Sequence, residues 1–242
     1  MSAKLAIVLV AIIFLVTVIV RMPASVLALL LPQNLACQDP SGTIWQGACG
    51  QLRSGPVSLA DLHWTLHALP LLRGQAQFDL RSDDPRGAGR GRITLHANGD
   101  ADVDSLTAAV PLQGASSPLP AGWSGQIELA IAHAQLRQHQ LVAIEGVATA
   151  QQLHIDRPAI DLGSFELRFP HSAEGAPSIG SLRDIGGPIA LQGDVQLAHG
   201  GYELNASLVP RDPGNTSLAQ LLGLLGPPDA QGRHELSIAG TF

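Results

Sequence analysis

The chain has 242 residues, of which 45% are hydrophobic and 14% are charged, and its formal net charge at pH 7 is -6. This apolar content is sufficient for an ordered core and excludes an intrinsically disordered tail. With only 14 Lys and Arg, the chain cannot neutralise many phosphates, so nucleic acid is excluded as the expected partner.

The first element is an apolar segment that runs from Leu5 to Val20, is interrupted only by Thr17, and lies between Lys4 and Arg21. At about 1.5 Å per residue, a helix of this length is slightly short for a hydrocarbon core of roughly 30 Å. The basic side chains at its two ends can extend it by snorkelling to the membrane interface. We therefore predict a transmembrane anchor over residues 1–23, followed by one exported β-rich domain over residues 24–242.

Two alternatives for this segment fit the following residues less well. A cleaved signal peptide has a shorter apolar region and a nearby small-x-small cleavage site, for which only residues 26–28 offer a weak match. A lipoprotein places its lipidated cysteine close behind the apolar region, whereas Cys37 is distant and Asn34 occupies the place of the required leucine. We expect an uncleaved single-pass membrane anchor, with the long domain outside the cytoplasm.

The two cysteines, Cys37 and Cys49, lie twelve positions apart. In a short exported chain, such a pair most naturally forms one disulfide, and two unrelated buried thiols are the alternative. Neither cysteine has a further metal ligand at zinc-finger spacing. A disulfide would hold the intervening segment, which carries Thr43 to Gly47, near the anchor.

Two segments near the anchor have more than one interpretation. Residues 24–31, which lie between Pro23 and Pro32, can continue the helix, lie along the membrane surface, or form the first strand of the core. Residues 41–47, with glycine at positions 42 and 47, are either an edge strand or a tight bend.

Alternating apolar and polar residues predict strands over most of the remaining chain, beginning with residues 62–66. A short pattern then recurs in which a glycine precedes apolar residues two and four positions later, as Gly125 precedes Ile127 and Leu129. We expect these glycines to start strands that have one apolar and one solvated face. The pattern occurs at Gly74, Gly91, Gly125, Gly163 and Gly193, and less regularly at Gly232.

Short turn signals, such as residues 98–100 and 212–215, separate the strands and favour antiparallel hairpins. One short helix is predicted between Leu218 and Leu225, with Ser217 as its N-cap and Gly226 as its stop. The predicted fold is therefore all-β, a curled antiparallel sheet behind one N-terminal helix. A sandwich, a barrel and an open groove around an apolar ligand all satisfy this pattern.

The sequence offers no pattern for catalysis. It contains no G-x-S-x-G nucleophile elbow, and His63 and His67 lack the glutamate of a zinc-binding helix. The carboxylates at Asp83 and Asp84 fall in a predicted turn and lack calcium-loop spacing. We expect neither an enzyme nor a bound cofactor or metal.

Several blocks resemble one known family. The segment Ser41-Gly42-Thr43-Ile44-Trp45-Gln46-Gly47 is similar to the SGTxWxG signature of type II secretion system protein N, which matches Gly42, Thr43, Trp45 and Gly47. Residues 62–66, which include Trp64, and residues 71–74 resemble a second block of that family. Residues 187–193 and 225–242 resemble its C-terminal half, so the resemblance covers essentially the whole chain.

The resemblance implies a non-enzymatic accessory component of the general secretion pathway, which exports folded proteins across the outer membrane. It also implies a single-pass protein of the bacterial inner membrane, with its C-terminal domain in the periplasm. Its implied role is a scaffold or interaction module whose partners are other secretion proteins of the inner membrane and periplasm. The family is also distantly similar to AsmA-like proteins, whose curled sheets form an apolar groove that can carry lipid. A lipid-binding or lipid-bridging module is therefore the second functional interpretation.

Overall fold

The computed structural model describes residues 3–30, 35–54, 57–84, 87–112, 122–138, 140–172, 176–198 and 200–241. Its helices are α1 (Ala3–Val20), α2 (Ala24–Leu30), α3 (Ala68–Leu71) and α4 (Thr216–Gly223). Its strands are β1 (Leu35–Gly42), β2 (Gln46–Ser54), β3 (Val57–His67), β4 (Gln75–Ser82), β5 (Ala88–His96), β6 (Ala101–Pro111), β7 (Trp123–Arg137), β8 (Gln140–Asp156), β9 (Ala159–Phe169), β10 (Ser178–Gly186), β11 (Ile189–Ala198), β12 (Gly201–Pro210) and β13 (His234–Thr241).

These strands form one 13-stranded antiparallel sheet in which each strand pairs with its neighbours in sequence. Short connections explain this order, because an antiparallel pair needs only a hairpin whereas a parallel pair needs a long crossover. β1 and β13 are the two edges, so the sheet does not close on itself. The predicted all-β class is confirmed, and the described residues form a single open sheet, neither a closed barrel nor a sandwich.

The alternating pattern separates the sheet into an apolar and a polar face. Phe78 on β4 lies opposite Ile93 on β5, and Ile93 lies opposite Val103 on β6. On the other face, Asp79 lies opposite Arg92. Directly paired residues share a face, so this register joins apolar with apolar and charged with charged side chains across the strands.

Much of the apolar core lies at the C-terminal half of the sheet, beneath α4. Leu218 and Leu222 of α4 are 0% and 3% exposed, and they belong to one cluster with Ile160, Ile189 and Leu208. These last three residues come from β9, β11 and β12, which are not all neighbours in the sheet. The sheet therefore curls at this end so that its apolar face surrounds α4.

A smaller core lies at the N-terminal edge, where α2 packs against the same face. Ala24, at the start of α2, is 1% exposed and clusters with Cys49 and Trp64. The segment after Pro23 thus enters the domain as a short helix. It does not form the first strand, because its apolar side chains cover the sheet from outside the hydrogen-bonded ladder.

The prediction that glycines start strands is wrong at most positions. Gly91, Gly125, Gly163 and Gly193 lie inside β5, β7, β9 and β11, while Gly74 does immediately precede β4. The strand register shifts beside Gly91 and Gly125, and Gly125 and Gly163 have φ angles of +140° and +93°. Glycine accommodates β-bulges and left-handed backbone, so Gly91, Gly125 and Gly163 stand at irregular positions inside strands that begin earlier.

The predicted C-terminal helix exists, but its cap is a different residue. The Asn215 side chain accepts a 3.0 Å hydrogen bond from the backbone N–H of Leu218, so Asn215 is the N-cap. Ser217 lies inside α4, which ends at Gly223. Asparagine is as good an N-cap as serine. Because Asn215 lies two residues before Ser217, the helix begins and ends closer to the N-terminus than predicted.

At the N-terminus, α1 covers the predicted apolar segment from Leu5 to Val20 and ends before Arg21. Within the described residues, no helix has the combination of length and apolar character that a membrane crossing requires. The transmembrane segment from Leu5 to Val20 therefore stays a prediction.

Candidate functional site at the β1–β2 hairpin

The signature segment forms the tight hairpin between β1 and β2. Thr43 donates its backbone N–H to the carbonyl of Gln46 at 2.9 Å, and its Oγ1 accepts the backbone N–H of Gln46 at 3.2 Å. Gly42 has a φ angle of +85°, and a Cβ there would lie 2.6 Å from the Gln46 carbonyl oxygen. Only glycine fits that position. Both interpretations hold in part: Ser41 and Gly42 end the edge strand β1, residues 43–45 form the tight bend, and Gln46 and Gly47 begin β2.

The hairpin contacts the C-terminal end of α1. The indole Nε1 of Trp45 donates to the carbonyl oxygen of Ile19 at 2.9 Å, and the backbone N–H of Ile44 donates to the carbonyl of Met22 at 3.0 Å. The last four carbonyls of a helix have no partner within the helix. Trp45 therefore satisfies one of these carbonyls from the sheet, and this contact holds the helix end against the hairpin.

Trp64 on β3 supports the hairpin from the apolar face. Its side chain is buried and lies directly opposite Gly47 in the strand register. A Cβ at Gly47 would lie 2.4 Å from the ring, and the Trp64 Nε1 donates to the carbonyl of Ile44 at 3.2 Å. The glycine leaves room for the indole, and the indole in turn satisfies a carbonyl of the bend.

A disulfide ties the two strands behind the hairpin. The structure joins Cys37 on β1 to Cys49 on β2, with their Cα atoms 5.8 Å apart. Asp39, between them in sequence, has a φ angle of +55°. The bridge lies in the same small region as Gly42, Thr43, Trp45, Gly47 and Trp64, all of which the sequence singled out. This region positions α1 and α2 on the sheet through the hydrogen bonds of Trp45 and Ile44 and through the packing of Ala24.

The pairing of an aromatic ring with an opposite glycine occurs again twice. Phe169 on β9 covers Gly180, where a Cβ would lie 2.7 Å from the ring, and Tyr202 covers its directly opposite partner Gly240 at the same distance. Sequence analysis missed both pairs, because the signal requires the strand register and not only the spacing. An aromatic ring over a cross-strand glycine restores the packing that the glycine lacks.

Charged rows cross the polar face. Asp79 accepts hydrogen bonds from Arg92 Nε and from His67 Nε2, each at 2.7 Å. The hydrogen bond from Arg92, more than that from His67, holds the pKa of Asp79 below its usual value despite partial burial. At Asp102, burial opposes ionisation, but hydrogen bonds from His96 and Arg137 together keep its pKa lowered.

This face offers no metal site in the part of the chain that the structure describes. There, no three His, Cys, Asp or Glu residues are grouped to hold a metal ion. His63 is exposed, while His67 is engaged with Asp79. A shallow cavity of about 540 Å³ is lined in part by Arg81, Arg90 and Glu128.

The apolar face is only partly covered in the middle of the sheet. α2 packs at one end and α4 at the other, while Val103, Ile127 and Leu129 between them are half-buried. Leu95 on β5 is 44% exposed. The central strands thus carry a strip of apolar side chains that neither α2 nor α4 buries.

Comparison with known proteins identifies the family. A family model described as type II secretion system (T2SS), protein N, matches residues 33–237. The chain belongs to the type II secretion system protein N family. The matched residues contain the hairpin, the disulfide, Trp64 and α4, whereas Ile19 and Met22, which the hairpin contacts, precede them.

Three relatives named type II secretion system protein N are similar over nearly their full length. The protein of Vibrio cholerae is 27% identical, with 93% of each chain covered. The protein of Klebsiella pneumoniae is 28% identical over 93% of this chain and 90% of its own, and that of Aeromonas hydrophila is 28% identical over 97% and 98%. No solved structure matches this chain.

Proposed function

We propose that this chain is a non-catalytic accessory component of type II secretion, held at the inner membrane and acting in the periplasm as a scaffold for other secretion proteins. The observation that carries this proposal is membership of the protein N family over residues 33–237. The relatives that are named for the same system align with this chain over at least 90% of their own length.

The exposed surface of α1 supports attachment to a membrane. Ile7 and Phe14 are 69% and 70% exposed, and Leu15 is 59% exposed. Exposed apolar side chains of this kind gain free energy when they leave water for lipid. The disulfide supports an oxidising compartment such as the periplasm.

The hairpin supports a scaffold role. Two indoles and a disulfide fix the sheet at the end of α1, and the region offers backbone and ring contacts but no reactive group poised on a cavity. A rigid connection of this kind suits a protein that presents a surface at a set orientation to the membrane.

The first test is deletion of the gene in its host, followed by measurement of exoprotein location. We expect exoproteins to accumulate in the periplasm while a periplasmic marker stays inside the cell, and the wild-type gene to restore export. Normal export in the deletion strain would contradict the secretion role. Alkaline extraction of membranes, with protease treatment of spheroplasts, tests the location: the chain should stay with the membrane and be cleaved only after the outer membrane is opened.

A lipid-binding module is a second candidate function, and the half-buried apolar strip favours it. Ile127→Asp or Leu129→Asp places a charge in this strip and should abolish co-purification of lipid, as measured by mass spectrometry of the purified chain. Thr107→Asp, on the polar face of the sheet, is the matched control and should retain lipid. Folded Ile127→Asp protein that still carries lipid would contradict this function. A leaky envelope with normal export in the deletion strain would favour it over the scaffold.

A further inference from the structure

The turn between β3 and β4 carries exposed leucines that no other part of the described chain buries. Leu69 is 79% exposed and Leu72 is 86% exposed, and Arg73 beside them is exposed as well. We call residues 69–73 the α3 tip. Adjacent exposed leucines at the end of a projection are typical of an interaction surface.

The α3 tip is an ordered projection. Backbone N–H groups of Leu72, Arg73 and Gly74 donate to carbonyls three residues earlier at 3.2, 2.9 and 3.0 Å. The Gly74 carbonyl in turn accepts the N–H of Ala97, in the next turn of the sheet, at 3.1 Å. The leucines are therefore held outward by the fold.

The tip lies at the same end of the sheet as the C-terminus of α1. In an antiparallel meander, the β1–β2 and β3–β4 connections fall on one end. The backbone N–H of Leu66, just before the tip, donates to the carbonyl of Trp45 at 2.7 Å, and Trp45 binds Ile19 at the end of α1. The helix end, the hairpin and the tip thus follow one another across adjoining strands.

The composition of this end fits a bilayer surface. Arg21 follows α1 and Arg73 ends the tip, and both are exposed. Basic residues at this level contact anionic head groups, while leucines reach the acyl boundary. The next turn at this end, residues 98–100, is polar and contains Asp100, so the apolar character belongs to the tip and is not a property of every turn.

We propose that the α3 tip inserts Leu69 and Leu72 into the lipid interface beside α1, so that the domain contacts the membrane at two points. This proposal rests on the membrane attachment proposed above. Two contacts would restrict rotation of the sheet about the helix, and the sheet would then stand on the membrane by the end that carries the hairpin.

The test uses the full chain in nanodiscs of phosphatidylethanolamine and phosphatidylglycerol. Both native cysteines are in the disulfide, so a single new cysteine can be labelled with an environment-sensitive fluorophore. The probe is placed by Leu72→Cys in the tip, by Phe14→Cys on α1, or by Leu224→Cys, an equally exposed leucine (83%) at the opposite end of the sheet. Lipids that carry a spin label near the glycerol then act as quenchers.

A probe at an interfacial depth of roughly 5–10 Å should shift to shorter emission wavelength and be quenched by the spin-labelled lipid. We expect this result for Leu72→Cys and quenching for Phe14→Cys, with no change for Leu224→Cys. Quenching on α1 without quenching in the tip would overturn the second contact and leave the anchor in place. Absence of quenching at both Leu72→Cys and Phe14→Cys would overturn both the anchor and the second contact. Quenching at Leu224→Cys equal to that at Leu72→Cys would show unspecific adhesion and overturn the role of the tip.

Discussion

The indole Nε1 of Trp45 lies 2.9 Å from the carbonyl oxygen of Ile19, and this hydrogen bond connects the sheet to the end of α1. Trp45→Phe keeps most of the ring and removes the donor, so we expect a local loss of about 1 kcal/mol. Amide hydrogen exchange should become faster in residues 19–26 and stay unchanged in β10–β12. Trp123→Phe, in the C-terminal half of the sheet, is the control and should leave residues 19–26 unaffected. If residues 19–26 of Trp45→Phe exchange their amide hydrogens as slowly as those of the wild type, the contact is dispensable.

The close approach of Gly47 to the Trp64 ring predicts a strong effect of one methyl group. A Cβ in Gly47→Ala would lie 2.4 Å from the ring and 2.7 Å from the Ser41 carbonyl oxygen, so backbone or ring must shift. We expect a loss of about 1–3 kcal/mol in the free energy of unfolding, measured by chemical denaturation. Gly223→Ala, where no atom lies within 4 Å of the added Cβ, should be neutral or slightly stabilising. Similar midpoints for the two variants would refute the argument.

The disulfide should make a measurable contribution to stability. On the chain-entropy model, a loop of this size adds about 3 kcal/mol, which Cys37→Ser combined with Cys49→Ser would remove. Urea unfolding should show this loss, and a reductant should destabilise the wild type but not the double variant. Intact mass under non-reducing conditions should be two protons lower than after reduction, and free thiols in the native chain would disprove the bridge.

The packing of α4 predicts a contrast between two nearby leucines. Leu222 is 3% exposed within the C-terminal core, whereas Leu224 is 83% exposed. Leu222→Ala should therefore cost about 2–5 kcal/mol through the cavity that it leaves, and Leu224→Ala should change little. Thermal unfolding of the full chain measures both. Equal effects would mean that α4 does not fill the curled end of the sheet.

Low pH should lower the stability of the folded chain, because it protonates carboxylates that are paired on the polar face. Hydrogen bonds from Arg92 and His67 lower the pKa of Asp79, so the folded chain binds this proton less readily than the unfolded chain. The resulting stability is fully present above the unfolded pKa of about 4 and is lost as the pH falls through the lower folded pKa. Asp79→Asn should thus be less stable than the wild type at pH 7, and the difference should shrink below about pH 4. If the difference in stability between Asp79→Asn and the wild type is the same at pH 3 as at pH 7, packing and not the charge of Asp79 causes it.

The candidate site was largely accessible from the sequence, but its arrangement was not. The glycines and tryptophans of the signature stand out by residue type, and the cysteine spacing suggested the bridge that the structure contains. The contact between Trp45 and Ile19 was not predictable, because it joins residues 26 positions apart through a backbone carbonyl that has no sequence signature. The α3 tip was passed over for a similar reason, since only the fold shows which leucines stay in water.

The sequence by itself determined the class of this protein, because the period-two alternation of apolar residues and the short turns between them admit little except an antiparallel meander. It also determined that the sheet has one apolar and one charged face. Only the tertiary structure decided that the sheet stays open, that it curls around α4, and that glycines such as Gly125 and Gly163 stand at irregular positions inside strands. These features depend on register and on contacts between strands distant in sequence, and local periodicity carries no information about either.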